Sequence, residues 1–390
     1  MNTKQKLIRI TTVPISLDKL LEGQLAFMKK SYEVLGVSSG GETLERVAKK
    51  EGIRVIPVKM SRKITPFKDL KAVWELYKVF KKEQPYIVHS HTPKAGIVGM
   101  LAAKFANVPI RLHTVAGMPL LETTGIKRIV LNFVEKLTYS CATKVYPNSF
   151  GLREIILKNR FTVNSKLKVL AKGSTNGIDT TYFNSAFFSE VKQQLLKTKL
   201  GIQKEAIVFI FVGRLVGDKG INELVVAFKK LQNSSLLTSH FSLLLVGSLE
   251  IALDQLKKET LIEITNNNDI ISVGWQEDVR PYLAISNCLV FPSYREGFPN
   301  VVLQAGAMSL PSIVTNINGC NEIIEDNKNG LIIPVKNSEA IYKAMKKIIE
   351  DKSYREQLQQ NARAMIVSRY EQQVVWEAIL AEYKRLGKKV

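Results

Sequence analysis

Residues 291–324, FPSYREGFPNVVLQAGAMSLPSIVTNINGCNEII, combine an acidic side chain with a possible anion-binding helix start. The apolar run 288–291 predicts a buried strand, and a loop that contains Glu296 follows it. Pro299 is predicted to be the first helical residue, because proline lacks the N–H group that a helix start leaves unpaired anyway. The free amides of residues 300–302 and the helix dipole would favour a bound anion. The stretch therefore predicts a phosphate at the helix start with the Glu296 carboxylate above it.

A second loop of interest runs from Gly213 to Gly220, GRLVGDKG, between an apolar run at 206–212 and a predicted helix start. Arg214 offers a planar fork of donors and Lys219 a mobile point charge, a pair suited to binding a diphosphate. The loop is not a Walker loop, because the pattern G-x-x-x-x-G-K-S/T is absent. The alternative is an ordinary strand-to-helix turn with two solvated cations.

Two series of alternating strand-like and helix-like runs must position these loops. The first series begins at Leu7 and the second at Ala206, and such alternation is typical of βαβ units and parallel sheets. Two of the predicted helices are Leu17–Lys30 and Ile251–Asn266. The predicted fold class is therefore α/β, with two Rossmann-like, doubly wound parallel-sheet domains. Ligands of such sheets bind at the carboxyl ends of the strands, so two domains facing each other would form a binding cleft.

The segment 172–183 interrupts this alternation. It is rich in small and turn-forming residues, as a linker is. We place the domain boundary there, with an N-terminal domain at 1–175 and a C-terminal domain at 176–390. The last helix, at about 370–386, is expected to pack back on the N-terminal domain.

The formal net charge of +21 is unevenly distributed along the chain. Residues 1–175 contain 31 Lys and Arg against 12 Asp and Glu, whereas residues 176–390 contain 25 against 23. An excess confined to one half predicts a polyanionic partner: an anionic membrane face, a phosphate-bearing substrate or nucleic acid. The alternative is a solvated basic surface without a partner.

Composition argues against several classes of protein. A chain with 45% hydrophobic and 23% charged residues is typical of a soluble globular protein. We find neither an apolar run near ~20 residues that could span a membrane nor the apolar core of a signal peptide. The cysteines are too widely spaced for a disulfide framework or a metal-binding pair, which predicts a reducing cytoplasm. No Asp-x-Asp metal motif occurs, so no metal is expected.

The two loops together resemble the signature of retaining GT-B glycosyltransferases of family 4. The matching patterns are G-R-L…K-G at 213–220 and R-E-G-F-P…P-S-I-V-T…G-x-x-E at 295–322. The run N-G-I-D at 176–179 is similar to the interdomain linker of that family. In the first half, H-S-H-T-P-K at 89–94 resembles a bacterial surface-polysaccharide branch. The resemblance covers residues 5–385 and implies the GT-B fold.

The resemblance implies transfer of a sugar from a nucleotide diphosphate-sugar, namely a UDP-sugar, to an acceptor hydroxyl with retention of anomeric configuration. Arg214 and Lys219 would hold the diphosphate and stabilise the leaving group, and Glu296 would face the donor sugar. The other implied donor-binding residues are Gly213, Gly297, Phe298, Asn300, Val301, Val302, Gln304 and Glu322. The enzyme would be a metal-independent hexosyl- or N-acetylhexosaminyltransferase without a cofactor, since the nucleotide sugar is a substrate.

Three positions depart from the family pattern. Gln304 stands where a second glutamate is usual, and that residue is expected to bind the ribose of the nucleotide. An amide still bonds two hydroxyls, but without charge assistance the bonds are weaker. Ser309 replaces a glycine that usually ends the following helix, which implies mild backbone strain. Ala116 stands where a histidine is frequent, although the donor phosphate could take the acceptor proton in its place.

The first half contributes candidates for binding an acceptor or a phosphate, namely His91, Lys94 and His113. Each lies near a predicted strand end or helix start. The alternative for the histidines is a hydrogen-bonded structural role.

The expected acceptor is a polyprenyl-diphosphate-linked glycan of capsule or O-antigen biosynthesis, or another oligosaccharide, because the basic half suits an anionic inner leaflet. The protein would then be cytoplasmic and peripheral on the inner face of the plasma membrane. A basic cluster could dock there, each residue contributing about 1 kcal/mol, or could be a solvated loop. Its members are Lys59, Arg62, Lys63, Lys68 and Lys71. The aromatic residues Trp74, Tyr77 and Phe80 have helical spacing and are expected in the core.

Other functions fit the sequence less well. A nucleic-acid-binding protein is suggested by charge alone, and we find no recognised module or exposed basic-aromatic pattern for it, so no nucleic acid is expected. A dinucleotide oxidoreductase needs G-x-G-x-x-G after its first strand, whereas this chain has TVPIS at 12–16. A sugar-nucleotide epimerase of the same fold remains the nearest enzyme alternative.

Overall fold

The computed structural model describes residues 4–63, 65–118, 120, 123–234, 240–250 and 254–388. The chain divides into two compact units. Unit 1 comprises Met1–Gly177 and Gln372–Val390, and unit 2 comprises Ile178–Glu371. The end of the chain therefore belongs to the same unit as its beginning.

The strands of unit 1 are β1 (Lys6–Ile10), β2 (Glu33–Ser38), β3 (Arg54–Pro57), β4 (Ile87–His91), β5 (Ile110–Val115) and β6 (Lys144–Pro147). They form one parallel sheet in the order β3-β2-β1-β4-β5-β6. The central strands β1 and β4 are buried almost throughout, although they contain the polar residues Arg9, His89 and His91. The direction of strand addition reverses between β1 and β4, the position at which doubly wound sheets bind ligands.

The helices of unit 1 are α1 (Pro14–Leu20), α2 (Gln24–Lys29), α3 (Glu42–Glu51), α4 (Pro66–Glu83), α5 (Pro93–Phe105), α6 (Gly125–Cys141) and α7 (Phe150–Lys158), joined by the last helix of the chain at Gln372–Gly387. One apolar core contains the inner faces of α4, α5 and α6, and α5 lies between the other two. A second core contains α1, α2, α3 and the last helix. The sheet is thus covered on both faces.

The single helix predicted over Leu17–Lys30 is wrong, because the chain forms α1 and α2 with a break between them. The carboxylate of Glu51 accepts hydrogen bonds from the amides of Gly23 and Ala26 at 2.8 and 2.9 Å. These bonds satisfy donors at the start of α2 that a continuous helix would have used internally. The partner comes from α3, which the local sequence does not show, whereas Gly23, with φ +74° at the break, is a local signal that the predicted helix ignored.

The aromatic residues of α4 differ from the expectation that all lie in the core. Phe80 is buried and Tyr77 is partly buried, but Trp74 is 56% exposed. The rings of Trp74 and Tyr77 stack with 5.3 Å between their centroids, and the ammonium group of Lys78 lies 5.2 Å from the centroid of the Trp74 ring. The core prediction for Trp74 is wrong because both faces of this helix carry apolar side chains.

The strands of unit 2 are β7 (Ile207–Val212), β8 (Phe241–Val246), β9 (Ile270–Ser272), β10 (Cys288–Phe291), β11 (Ser312–Thr315) and β12 (Gly330–Ile333). They form a second parallel sheet in the order β12-β11-β10-β7-β8-β9. Strands β7 and β10 are neighbours in the sheet, although 75 residues lie between Val212, the last residue of β7, and Cys288, the first residue of β10. This pairing decides which loops meet at the carboxyl edge of the sheet.

The helices that follow these strands are α8 (Glu190–Lys199), α9 (Ile221–Gln232), α10 (Lys258–Asn266), α11 (Arg280–Ala284), α12 (Asn300–Ala307), α13 (Cys320–Ile323), α14 (Ser338–Glu350) and α15 (Lys352–Tyr370), and the helix of unit 1 at Gln372–Gly387 is α16. Helix α10 is shorter than the predicted helix Ile251–Asn266, whose residues 251–253 lie outside the described residues. The amide of Lys257 donates to Asn222 Oδ1 at 3.0 Å, which fixes the start of α10.

A buried arginine joins several elements of unit 1. Arg9 is fully buried, and its guanidinium donates to His91 Nε2 at 3.1 Å, to the Tyr383 hydroxyl at 3.0 Å and to the side-chain oxygen of Gln24. Gln24 in turn donates to Asn176 Oδ1 at 2.9 Å. Burial lowers the pKa of the Arg9 guanidinium. The network therefore links β1, β4, α2, α16 and the linker residue Asn176 through neutral partners.

Ser309 ends α12 in the left-handed region, with φ +65°. A residue with a Cβ is strained there by about 1 kcal/mol, whereas glycine is not. We expect Ser309→Gly to raise the free energy of unfolding by at most about 0.5 kcal/mol, because the entropic cost of glycine offsets part of the relieved strain. Urea denaturation of Ser309→Gly and of the matched control Ser309→Ala would measure this. Equal stability of the two variants would contradict the assigned strain.

Candidate active site

The carboxyl edge of the unit 2 sheet brings two of the predicted site loops together. Residues Cys288 and Leu289 of β10 pair with Phe209 and Ile210 of β7. Both strands run in the same direction, so the loops that follow them start side by side. The loop after β7 carries Lys219 and the loop after β10 carries Glu296.

Lys219 and Glu296 form an ion pair through Nζ and Oε1. Both side chains are only 16% exposed, so the pair is better shielded from water than a surface pair. Ser293 Oγ donates to the same Glu296 oxygen at 2.9 Å. The ammonium group also lies 5.6 Å from the centroid of the Phe291 ring. Together these contacts hold one carboxylate and one cation at the same point.

The backbone of the two loops is fastened by Asp218. Its carbonyl accepts from the amide of Tyr294 at 2.9 Å, and its carboxylate accepts from Arg295 Nη2 at 2.9 Å. Gly220 begins α9 with φ +72°, and a Cβ at this position would lie 2.2 Å from the carbonyl oxygen of Pro292. Only glycine therefore permits this approach, which keeps Lys219 within reach of Glu296.

Arg214 lies at the outer part of the same edge. It follows Gly213, whose amide donates to Val246 O at 2.9 Å, and its side chain is 45% exposed. Arg214 Nη1 lies 3.6 Å from a carboxylate oxygen of Glu250. An exposed pair of this kind contributes little to stability, so an anionic ligand could take the place of Glu250 at small cost.

The helix after Glu296 begins one residue later than predicted. Pro299 has extended backbone angles and precedes the first helical residue, which is Asn300. The amide of Val302 already donates to the carbonyl of Pro299 at 3.2 Å, so the prediction of a free Val302 amide is wrong. Within the described part of the chain, the amides of Asn300 and Val301 are the ones that remain as candidates for an anion. Gln304 lies four residues after Asn300 and therefore on the same face of α12.

The loop after β11 forms hydrogen bonds and a close backbone contact with the Glu296 loop. Asn318 Nδ2 donates to the carbonyl oxygen of Glu296 and, at 3.4 Å, to that of Gly297. Gly319 has φ +78°, and a Cβ there would lie 2.5 Å from the carbonyl oxygen of Gly297. The amide of Gly319 donates to Glu322 Oε1 at 3.4 Å. Glu322 thus has a structural contact that fixes this turn.

Phe298, one of the predicted donor-binding residues, is 8% exposed and packs edge-on against Tyr370 with 5.4 Å between ring centroids. Its side chain anchors the loop in the core of unit 2. A contact with the donor would therefore come from its backbone.

Sequence reasoning missed three polar residues that build the site, namely Asp218, Ser293 and Asn318. Asn318 belongs to an Asn-Gly dipeptide, a turn signal that marks its backbone but does not indicate its side-chain partners. Ser293 follows the Pro292 turn, and Asp218 looks like an exposed loop acid. The partners of Asn318 and Asp218 lie on other loops, 22 and 77 residues away, so the chain order does not reveal them. The partner of Ser293 is Glu296 of the same loop, and only the folded loop brings the two side chains together.

The candidates in unit 1 have protein partners. His91 is 1% exposed and accepts from Arg9, and the buried His113 Nδ1 lies 2.9 Å from the Ser90 hydroxyl. Lys94 forms an ion pair with Asp69 of α4. Burial lowers the pKa of His91 well below its usual value, and the pKa of His113 to about 4, so both are neutral near pH 7. Their roles toward an acceptor stay predictions.

The described residues contain no cluster of three or more His, Cys, Asp or Glu side chains that could hold a metal ion. The same residues contain no helix that is long and apolar enough to cross a membrane.

Comparison with known proteins decides the family. A model described as "Glycosyl transferases group 1" matches residues 192–365, and one described as "Glycosyl transferase 4-like" matches residues 21–149. The capsular polysaccharide biosynthesis glycosyltransferase CapM of Staphylococcus aureus is 34% identical over 381 residues, which cover 97% of each chain. The chain belongs to the group 1 glycosyl transferases. It is a glycosyltransferase.

Other similarities agree with this assignment. The UDP-Gal:alpha-D-GlcNAc-diphosphoundecaprenol alpha-1,3-galactosyltransferase of Escherichia coli is 31% identical over 295 residues, with 75% of this chain and 74% of that protein covered. The fold matches the crystal structure of a glycosyltransferase from Rickettsia africae ESF-5 with TM-score 0.81, at 21% identity and full coverage of both chains. Anabaena Alr3699/HepE in complex with UDP and glucose also gives TM-score 0.81, at 17% identity, over 98% of this chain and 100% of that one. The GT-B fold prediction is confirmed, and the epimerase alternative is not favoured.

For this glycosyltransferase the ion pair generates a prediction at Glu296. If Glu296 faces the donor sugar as predicted, we expect Glu296→Gln to lower kcat by at least about 10²-fold, because the variant would lack the carboxylate that favours positive charge on the sugar. Affinity for the free nucleotide diphosphate should stay equal or rise, because Lys219 loses its competing partner. Steady-state kinetics and calorimetry measure the two effects. The control Glu339→Gln removes a surface ion pair with Lys230 and should change neither.

The predicted binding of the diphosphate by Arg214 and Lys219 can be tested by alanine substitution. If Arg214 and Lys219 bind the diphosphate as predicted, Arg214→Ala and Lys219→Ala should each lower the rate by about 10²-fold or more, because each would remove a cation from the leaving group. Lys230→Ala is the matched control, since it removes a solvent-accessible lysine of the same unit. Near-normal turnover in both site variants would contradict the assignment.

His113 predicts an acid sensitivity of unit 1. Its folded pKa of about 4 lies below the unfolded value of 6.5, so the unfolded chain binds the proton first as the pH falls. The stabilisation is complete above pH 6.5 and is lost as the pH falls toward 4. When the pH is lowered from 7.5 to 5, protonation of His113 in the unfolded chain should lower the free energy of unfolding by about 2 kcal/mol. Urea denaturation at both pH values should show a smaller pH dependence for His113→Asn, but not for the exposed control His240→Asn.

Proposed function

We propose that this glycosyltransferase moves a hexose or N-acetylhexosamine from a UDP-sugar to a hydroxyl of a polyprenyl-diphosphate-linked glycan, with retention of anomeric configuration. The reaction would need no metal ion. The observation that carries the proposal is the Lys219–Glu296 ion pair beside the start of α12. It supplies one positive and one negative group to a single small volume.

The two charges suit two different parts of the transition state. Lys219 would bind the departing diphosphate together with Arg214, and the amides of Asn300 and Val301 would add donors to the same group. Glu296 would stay ionised against the donor sugar, accept hydrogen bonds from its hydroxyls and favour positive charge at the anomeric carbon. Binding of the diphosphate would replace the carboxylate as the partner of Lys219.

Retention is consistent with a reaction in which the acceptor oxygen replaces the leaving diphosphate on the same face of the anomeric carbon. The bond from the anomeric carbon to the donor phosphate oxygen breaks, and the acceptor oxygen bonds to the same face of that carbon. The proton of the acceptor hydroxyl passes to an oxygen of the leaving diphosphate. No general base from unit 1 is then required, which agrees with the alanine at position 116.

Metal independence is supported by the kind of groups at the edge of the sheet. Two basic side chains and a helix start carry the positive charge that Mg²⁺ provides in other transferases. Gly213, Gly297, Phe298 and Glu322 would shape the donor site through their backbone or their structural contacts.

The lipid-linked acceptor and the membrane location are supported by relatives and by charge. The Escherichia coli relative is named for a diphosphoundecaprenol substrate, and the Staphylococcus aureus relative for capsular polysaccharide biosynthesis. Residues 1–175 carry the excess of basic residues. We expect the enzyme to work at the inner face of the plasma membrane, where anionic lipids attract such a surface.

An assay with a panel of UDP-sugars and a synthetic polyprenyl-diphosphate glycan tests the proposal. Transfer should require the acceptor, should continue in EDTA, and should give a product whose anomeric configuration, read by NMR, equals that of the donor. Conversion of the donor alone to an epimer would contradict transfer to an acceptor. A product of inverted configuration would contradict retention, and full loss of activity in EDTA would contradict metal independence.

Gln304 gives a separate prediction. A carboxylate forms stronger hydrogen bonds to two ribose hydroxyls than an amide does, because its bonds are charge-assisted. We therefore expect Gln304→Glu to lower the Kd for UDP severalfold or to leave it unchanged. Gln360→Glu, which adds the same charge on exposed α15, is the control. Weaker UDP binding by a folded Gln304→Glu variant alone would argue against the ribose role.

A further inference from the structure

Two helices of unit 1 carry apolar side chains on their outward faces. Helices α4 and α6 pack on either side of α5 over the same face of the sheet. The outward side chains are Phe67, Leu70 and Trp74 on α4, and Ile126, Ile129 and Phe133 on α6. We call these six residues the α4–α6 apolar surface. Large apolar residues grouped in this way are uncommon on soluble proteins and mark interaction sites.

The spacing shows that each helix has a true outward stripe. On α6 the exposed residues Ile126, Ile129 and Phe133 follow one another at intervals of three and four, the repeat of one helix face. Ile126 is 81% and Phe133 64% exposed. A helix that buried this face against its own unit would hide these residues, so the stripe is available for a partner.

The stripe of α4 has the same character. Phe67, Leu70 and Trp74 again lie at intervals of three and four, and Phe67 is 89% exposed. Lys78 places its ammonium group over the Trp74 ring, so an aromatic and a cation share the outward face. Aromatic side chains flanked by lysine are typical of helices that lie in the interface of a bilayer.

The charge around the stripes is positive. Exposed lysines on the two helices are Lys68, Lys71, Lys78, Lys81, Lys82, Lys127 and Lys136. The same helices carry four acids, and the exposed lysines outnumber them. Asp69 is paired with Lys94 and Glu83 with Lys6 and Arg54, which leaves Glu75 and Glu135 against seven lysines. A second copy of the chain would bring like charges together, whereas an anionic lipid surface would neutralise them.

The position of the surface relative to the sheet is also informative. In each βαβ unit the helix starts where the preceding strand ends, so the first turns of α4 and α6 adjoin the carboxyl edge. Phe67 and Ile126 stand in those first turns. The reversal of strand order between β1 and β4 opens at the same edge, where doubly wound sheets bind their ligands.

From these observations we infer that the α4–α6 apolar surface inserts into the interface of an anionic bilayer. The inference rests on the proposed use of a lipid-linked acceptor and identifies the residues that meet the lipid. Insertion places the carboxyl edge of unit 1 at the depth of the headgroups, where a polyprenyl diphosphate presents its first sugars. Binding then combines an electrostatic part from the lysines with an apolar part that salt does not remove.

Flotation with vesicles of phosphatidylcholine alone and of phosphatidylcholine with phosphatidylglycerol tests the inference. Wild-type protein should float with the anionic vesicles, and a residual fraction should persist at high salt. The double variant Ile129→Ser with Phe133→Ser should bind at least tenfold more weakly and lose the salt-resistant fraction. Val226→Ser with Ile262→Ser, which changes two exposed apolar residues of unit 2, is the control and should float like wild type.

Trp74 reports on insertion directly. Its fluorescence should shift to shorter wavelength with anionic vesicles, and the shift should be absent in Trp74→Phe, which keeps the apolar face. Unchanged flotation of the Ile129/Phe133 variant, no Trp74-dependent shift, or a concentration-dependent dimer that the variant abolishes would overturn the inference.

Activity separates this inference from the proposed function. The Ile129/Phe133 variant should transfer to a short-tailed, water-soluble acceptor at the wild-type rate and to a vesicle-embedded acceptor at least tenfold more slowly. Equal rates of wild type and variant on vesicles would contradict insertion of the α4–α6 apolar surface but would not contradict the transferase function. Failure of wild type to use any lipid-linked acceptor would instead contradict the proposed function, and flotation would still test the surface.

Discussion

The ion pair between Lys219 and Glu296 depends on one tertiary feature, the pairing of β7 with β10. The two residues are separated by 77 positions in the chain, yet they meet because neighbouring parallel strands end at the same edge. The pair is partly shielded from water, so each charge holds the other in place more firmly than at the surface. Under the proposed function, a substrate that carries both a diphosphate and a polyhydroxyl group would replace this internal pairing with its own contacts.

The rest of unit 2 keeps that pair in register. Asp218 fastens one loop to the other, and Asn318 holds two carbonyls of the Glu296 loop from the next strand end. Gly220 and Gly319 allow backbone approaches that no residue with a Cβ could make. The site is therefore assembled from three strand ends, and a change in any one of them moves the charged groups.

Unit 1 uses a different principle. Its central feature is Arg9, a buried cation whose partners are neutral side chains such as His91, Gln24 and Tyr383. The network occupies His91 Nε2 and the Tyr383 hydroxyl, whereas His91 Nδ1 is buried without a hydrogen-bond partner among the described residues. The outward faces of α4 and α6, in contrast, are free of the unit's own core and carry its apolar and basic surface.

Sequence patterns alone predicted the α/β class, the two series of strands and the loops that carry the charged residues. Periodicity and turn residues are local, so the apolar strands and the Arg214–Lys219 loop were predictable, and the left-handed position of Ser309 followed from the family pattern. Only the tertiary structure shows which strands and which side chains contact one another. The break between α1 and α2 depends on Glu51, and the exposure of Trp74 depends on which face of α4 meets α5, because both are set by partners distant in the chain.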